Sequence, residues 1–123
     1  MNKVLVIEDN KEIRENTAEL LEINGYTVYV AENGRLGYES AKRDYPDIIL
    51  CDILMPKTDG REFLQLAKVD NSISNIPIIF FSAGSSLELQ KTLLYGNNAF
   101  LKKPFTEKEL LLIIQDGLNP SLI

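Results

Sequence analysis

Short apolar runs alternate along the chain with longer stretches in which apolar residues recur at helical spacing. Four of the five runs lack strict alternation with polar residues, which is typical of strands in a parallel sheet that helices cover on both faces. The runs, which we predict to be strands, are Val4–Ile7, Tyr26–Ala31, Ile48–Cys51, Ile76–Phe81 and Ala99–Leu101. This alternation predicts βαβ units with right-handed crossovers, and therefore an α/β protein with a doubly wound, five-stranded parallel sheet.

Signals for helices lie between these runs. Residues 11–24 place apolar side chains on one face of a helix, and Thr106 with Glu109 has the spacing of a capping box. Gly34 and Gly37 each weaken the second predicted helix by up to about 1 kcal/mol. Five strands in this alternation correspond to a flavodoxin-like (βα)5 fold, for which we expect the strand order 2-1-3-4-5 and a ligand site beyond the carboxyl ends of the strands.

The amino-acid composition restricts the kinds of site and of function that the chain can have. The 123 residues contain neither an internal repeat nor a linker, so we expect residues 1–123 to form one domain. One Cys and no His exclude zinc sites and His-based acid/base pairs, and leave only oxygen-binding ions such as Mg²⁺. A net charge of −5 without a basic tail argues against direct nucleic-acid binding. The amino-terminal apolar run is too short for a signal peptide or a membrane span, so we expect a cytoplasmic protein.

Polar residues follow four of the five predicted strands. They are Glu8 and Asp9 after the first, Asp52 after the third, Ser82 after the fourth and Lys103 after the fifth. In the strand order 2-1-3-4-5, these four strand ends are neighbours. Three carboxylates held close together repel one another, so they form a site for a divalent cation with oxygen ligands, for which Mg²⁺ fits best.

The same residues suggest phosphoryl transfer. Asp52 could attack a phosphorus atom and form an aspartyl phosphate without a general base, because an ionised carboxylate is already a nucleophile. Mg²⁺ and the Lys103 ammonium would neutralise the charge of the phosphoryl oxygens, and the Ser82 hydroxyl would donate a hydrogen bond to one of them.

The strand-end residues lie in four sequence motifs, which are VLVIEDN at 4–10, PDIILCDILMP at 46–56 followed by Asp59-Gly60, IPIIFFSA at 76–83 and FLKKPF at 100–105. Together these motifs resemble those of the response-regulator receiver domain of two-component signalling. An acidic pair or a Lys-Pro alone would be weak evidence, but the four motifs occur in the family's order and spacing. The resemblance covers essentially the whole chain.

The resemblance implies a role for each matching residue. It makes Asp52 the phosphoacceptor, with Glu8, Asp9, Asp52 and the backbone carbonyl of Leu54 as Mg²⁺ ligands. Lys103 matches the phosphate-binding lysine. Ser82 matches the switch hydroxyl, and Phe100 matches the switch aromatic, which turns inward in the family when the hydroxyl moves toward the phosphoryl group.

The function implied is a phosphorylation-controlled switch. A sensor histidine kinase or a phosphotransfer protein would donate the phosphoryl group, and the domain would catalyse only its own phosphorylation and dephosphorylation. A downstream protein would bind the surface of the fourth helix, fifth strand and fifth helix, near Leu87–Tyr95, Phe100–Lys102 and Leu110–Leu118. A phosphorylation-dependent homodimer and onward relay of the phosphoryl group are left open, as is whether the chain is a free-standing receiver or one excised from a longer protein.

Two other classes of function are weighed against this one. Phosphatases of the haloacid dehalogenase type also use a strand-end Asp, Mg²⁺ and a Lys, but they carry a second Asp two residues later, where this chain has Leu54. A receiver-like interaction module that has lost the chemistry would lack the acidic pair, the phosphoacceptor or the lysine. Here all of these residues are present.

Overall fold

The fold is taken from a computed structural model, which describes residues 2–52, 60–82, 99–102 and 105–119. Five parallel strands form one sheet in the order β2-β1-β3-β4-β5. They are β1 (Lys3–Ile7), β2 (Thr27–Ala31), β3 (Ile48–Asp52), β4 (Ile78–Ser82) and β5 (Ala99–Lys102). The flavodoxin-like α/β fold and the strand order predicted from the sequence are thereby confirmed.

Four helices are present in the described part of the chain. They are α1 (Lys11–Ile23), α2 (Gly34–Asp44), α3 (Gly60–Val69) and α4 (Glu107–Leu118). The helix predicted near Leu87–Tyr95 lies outside the described residues, so α4 is the fifth helix of the sequence prediction. No helix among the described residues is both long enough and apolar enough to span a bilayer.

Side-chain oxygens cap three of these helices at their amino ends. Asn10 accepts the backbone N–H of Ile13 at the start of α1, and Asn33 does the same for α2. Thr106 and Glu109 form the predicted capping box of α4, in which each side chain accepts the other residue's backbone N–H. These bonds satisfy donors that a helix leaves unpaired at its first turn, so the helices begin at defined positions.

Alternate residues of β1, β3 and β4 enter two separate apolar layers, one on each face of the sheet. Leu5 and Ile7 of β1 pack on the side of α2 and α3, whereas Val4 and Val6 pack on the side of α1 and α4. All four are fully buried. Burial on both faces explains why the strands have continuous apolar runs rather than alternating ones.

Two strands begin later in the structure than the sequence pattern predicts. β2 begins at Thr27 rather than Tyr26, and β4 begins at Ile78 rather than Ile76. Pro77 accounts for the second difference, because its nitrogen carries no hydrogen to donate to the ladder. Its carbonyl still accepts the N–H of Ile49 from the neighbouring strand, so the segment enters the sheet at this point.

At Gly37, α2 packs against β1 without room for a side chain. A methyl group at this position would overlap the Cδ1 atom of Ile7 and would lie 2.7 Å from its Cγ1 atom. The sequence marks this glycine only as a weak point of the second helix. The structure shows that the absence of a side chain lets α2 pack directly on β1.

Candidate metal and phosphoryl site

Three carboxylates converge at the carboxyl edge of the sheet. Ile7 pairs with Cys51 in the register of β1 and β3, so the residues that follow, Glu8 and Asp52, face each other across neighbouring strands. The structure groups one oxygen from each of Glu8, Asp9 and Asp52 within 4.8 Å of one another. The sequence prediction that the acidic pair and Asp52 lie together is thus met by the geometry.

The three carboxylates differ in their exposure. Glu8 is 1% and Asp52 is 4% exposed, whereas Asp9 lies at the surface. Asp52 ends β3, the central strand of the sheet. A ligand would therefore approach from the side of Asp9 and reach an edge at which two further carboxylates are already removed from water.

The turn between β1 and α1 is held by a small set of polar contacts. The backbone N–H of Asn10 donates to Oε2 of Glu8 at 3.2 Å, while the Asn10 side chain caps α1. From the first turns of α1, Nη1 of Arg14 donates to the carbonyl oxygen of Glu8 at 2.9 Å and to that of Asp9 at 3.4 Å. The backbone that carries the acidic pair is thus tied to the helix that follows.

The pKa of Asp9 is raised by its partial burial and by the negative charge of Glu8 beside it. Partial desolvation, followed by a hydrogen bond and charge repulsion from the Glu8 carboxylate, raises the pKa of Asp9 above its ordinary value. The backbone N–H groups of Asp9 and Asn10 act in the opposite direction. A bound cation would relieve this repulsion, because it favours the ionised form of every carboxylate around it.

The donor set fits a hard divalent cation. All three groups offer carboxylate oxygens, which are the ligands that Mg²⁺ and Ca²⁺ prefer, and an ion bound here would also draw on water or backbone carbonyls to complete its coordination. The cluster could therefore hold a metal ion. Soft metals that need several thiolates or imidazoles do not fit, because the whole chain has one Cys and no His.

The other predicted site residues are placed only in part. Ser82 ends β4, one residue beyond Phe81, which pairs with Asp52. The backbone of Ser82 therefore reaches the same edge of the sheet as Asp52. Phe100 pairs with Phe80 in β5. Leu54 and Lys103 lie outside the described residues.

Sequence reasoning missed two residues of this site. Asn10 is the cap of α1 and also a donor to Glu8, and the signal for it was an Asn directly before a helical apolar pattern. Arg14 was missed because apolar periodicity says nothing about a polar side chain that turns back to the preceding strand.

The family of this chain follows from comparison with known proteins. The family model of the response regulator receiver domain matches residues 4–115. The chemotaxis protein CheY4 of Vibrio cholerae has a solved structure that is similar, with a TM-score of 0.89 and 30% identity over 96% of this chain and 99% of that one. The chain belongs to the response regulator receiver domain family, and it has the CheY-like form of the flavodoxin-like fold.

Curated relatives show the same domain within longer proteins. The transcriptional regulatory protein CpxR of Escherichia coli (strain K12) is 34% identical over 122 residues, which are 98% of this chain and 51% of CpxR. Histidine kinase P4 of Formosa agariphila is 32% identical over 117 residues, which are 94% of this chain and 8% of that kinase. The chain thus spans about half of the length of CpxR and less than a tenth of the length of histidine kinase P4.

Proposed function

We propose that this chain is a phosphorylation-controlled switch of two-component signalling, in which residues 1–123 form one receiver domain and Asp52 is the phosphoacceptor. The observation that supports this most directly is the convergence of Glu8, Asp9 and Asp52 at the carboxyl edge of the sheet. Asp52 occupies the central strand, at the point where ligands bind in open α/β sheets.

The chemistry requires little from the protein besides position and charge. A carboxylate oxygen of Asp52 attacks the phosphorus of a phosphohistidine, the P–N bond breaks, and the electron pair of that bond leaves with the donor's imidazole. Glu8, Asp9, Asp52 and the backbone carbonyl of Leu54 would hold Mg²⁺, which would neutralise negative charge on the phosphoryl oxygens. Lys103 supplies a second positive charge in this proposal. The roles of Leu54 and Lys103 rest on the sequence match to the family.

The phosphoryl donor in this proposal is a sensor histidine kinase or a phosphotransfer protein, and the domain acts only on its own aspartyl phosphate. The phosphoryl group brings a charge of about −1.5 to −2 to the sheet edge, in place of the single negative charge of the Asp52 carboxylate. Ser82 and Phe100 transmit this change as switch residues, since they lie on the neighbouring strands β4 and β5. The proposed output is altered binding of a downstream protein, or of a second copy, by the surface near Leu87–Tyr95, β5 and α4.

The experiment is intact-mass measurement after incubation with acetyl phosphate and Mg²⁺. We expect one added phosphoryl group on the wild-type protein, none on Asp52→Asn and none when a chelator removes the metal. Asp47→Asn is the matched control, because Asp47 is an exposed carboxylate at the opposite end of β3, where it accepts the backbone N–H of Lys3 at 2.7 Å. This variant makes the same change of charge and should be phosphorylated like the wild type.

Two results would overturn the proposal. The first is equal phosphorylation of Asp52→Asn and wild type, which would place the acceptor elsewhere. The second is no adduct on the wild type together with no change in its amide NMR spectrum on addition of beryllofluoride and Mg²⁺. The second result would make a receiver-like interaction module the better description.

A further inference from the structure

The side chain of Arg14 donates hydrogen bonds to the backbone of both acidic residues. It lies one turn into α1 and is half-buried. A single nitrogen, Nη1, donates to the carbonyl oxygens of the two consecutive residues Glu8 and Asp9, at 2.9 Å and 3.4 Å. A planar guanidinium that bridges two neighbouring carbonyls restricts the rotation of the peptide between them.

These carbonyls lie just beyond the regular ladder of β1. The N–H of Glu8 still donates to Ala31 of β2 at 3.0 Å, and the N–H of Asn10 donates to the Glu8 carboxylate. The partly buried carbonyl of Glu8 needs a donor, and here a side chain of α1 provides it. The direction in which the Glu8 and Asp9 side chains leave the backbone is therefore set by contacts on both sides of the turn.

We propose that Arg14 is a positioning residue for the metal site, which holds the Glu8 and Asp9 carboxylates at the spacing that binds a divalent cation. This inference rests on the proposed function. Arg14 contacts the backbone of the two ligands rather than the ion. Removing hydrogen-bond partners that orient metal ligands typically lowers metal affinity by about 10- to 100-fold.

The positive charge of Arg14 allows its electrostatic effect on Mg²⁺ affinity to be separated from its effect on the position of the ligands. A guanidinium near three carboxylates repels an incoming cation, so its removal should strengthen Mg²⁺ binding if charge were its only effect. Loss of positioning should weaken Mg²⁺ binding instead. The two explanations predict opposite changes for Arg14→Gln, whereas Arg14→Lys keeps the charge but changes the reach and the geometry of the donor.

The test is calorimetric titration of the full chain with Mg²⁺, with thermal unfolding as the check on folding. We expect Arg14→Gln to bind Mg²⁺ about tenfold more weakly than wild type, at the low end of the range for such partners, and Arg14→Lys to be intermediate. Arg35→Gln is the matched control. Arg35 is exposed in the first turn of α2, which begins at the same edge of the sheet, and it makes no hydrogen bond or ion pair with the described residues. Its loss should leave Mg²⁺ binding unchanged or slightly tighter.

A second measurement is independent of the metal. Hydrogen exchange of the Asn10 amide should be faster in metal-free Arg14→Gln than in wild type, because the turn that orients its acceptor, Glu8, is released. The exchange of amides at the centre of β3 should be unchanged, since that strand is paired with β1 on one side and with β4 on the other.

Each outcome decides one point. Mg²⁺ affinity of Arg14→Gln equal to or tighter than wild type would overturn the positioning role and leave the proposed function intact. If Arg14→Gln fails to fold, a folded Arg14→Lys with wild-type affinity would overturn it, and one with weaker affinity would support it. If the wild type binds no Mg²⁺, the proposed function and the metal role of Arg14 both fail, and faster Asn10 exchange would then show a purely structural contact.

Discussion

Replacing Gly37 with alanine should destabilise the protein, although alanine is the better helix former. Gly37 lies within α2, where the substitution by itself favours the helix by about 1 kcal/mol. The added methyl group, however, would overlap Cδ1 of Ile7 and lie 2.7 Å from its Cγ1. Ile7 is fully buried in the layer between the sheet and α2, so it has little room to move.

The magnitude follows from these opposing effects. Overpacking a core typically costs about 1–3 kcal/mol, and subtracting the helix gain of about 1 kcal/mol leaves a net loss near 1 kcal/mol. Gly117→Ala is the matched control in α4. There the new methyl group would approach only the terminal Cδ1 of Ile48, at 2.5 Å, with the next atoms at 3.8 and 4.0 Å. Rotation about the Cβ–Cγ1 bond of Ile48 moves that single atom, whereas two atoms of Ile7 lie too close at Gly37, so we expect Gly117→Ala to cost less than Gly37→Ala.

Urea unfolding followed by circular dichroism measures these changes, since the chain has no Trp. The decisive variant is Gly37→Ala combined with Ile7→Val, which removes the overlapping Cδ1 atom. Ile7→Val alone should cost about 0.5–1.5 kcal/mol, and the double variant should be more stable than the sum of the two by at least about 0.5 kcal/mol. A Gly37→Ala variant that gains its full helix propensity, or strict additivity with Ile7→Val, would refute the close packing of α2 on β1.

Two further predictions concern the Thr106 cap of α4 and Asp70, which lies between α3 and β4 and contacts α2. Thr106→Ala should lower the unfolding free energy by about 0.5–2 kcal/mol in the same urea assay, because it removes the acceptor of the Glu109 N–H, and Thr106→Ser should keep most of the stability. Asp70 accepts hydrogen bonds from Ser72, Tyr38 and Lys42, and these hold its pKa well below the ordinary value. Its contribution to stability is present above the unfolded pKa of about 3.9 and is lost as the pH falls through the lower folded pKa. The difference in melting temperature between wild type and Asp70→Asn should therefore shrink on acidification, and a difference that grew would contradict this assignment.

The strands could be predicted from the sequence because burial on both faces leaves a direct pattern. Val4–Ile7 and Ile48–Cys51 are apolar at every position, and every one of these residues is buried. Strand ends are harder to predict, because they depend on hydrogen bonds between strands rather than on hydrophobicity. Pro77 is the clear case, since it delays the start of β4 while its carbonyl already joins the sheet.

The carboxylates of the site could be predicted for a topological reason. Once the strands are parallel and ordered, residues that end neighbouring strands must meet at one edge, and Glu8, Asp9 and Asp52 do so. Contacts that depend on how helices pack could not be predicted in this way. Tyr38 of α2 donates to Asp70 at 2.7 Å, and nothing in the periodicity of either segment pairs the two residues. The proposed roles of Leu54 and Lys103, and the partner surface near Leu87–Tyr95, stay predictions.

Burial of the acidic cluster explains why the proposed switch depends on a cation. Glu8 and Asp52 are already removed from water at the ends of the apolar runs of β1 and β3, where charges interact more strongly than in bulk solvent. A phosphoryl group on Asp52, with a charge of about −1.5 to −2, would replace the single negative charge of the carboxylate, which raises the repulsion among the members of the cluster. The more negative charge of the phosphorylated cluster should strengthen cation binding. Because linkage between two equilibria is reciprocal, a bound cation should favour phosphorylation to the same extent. The same repulsion favours a rearrangement near Asp52 when the phosphoryl group arrives, because the net charge of the cluster becomes more negative.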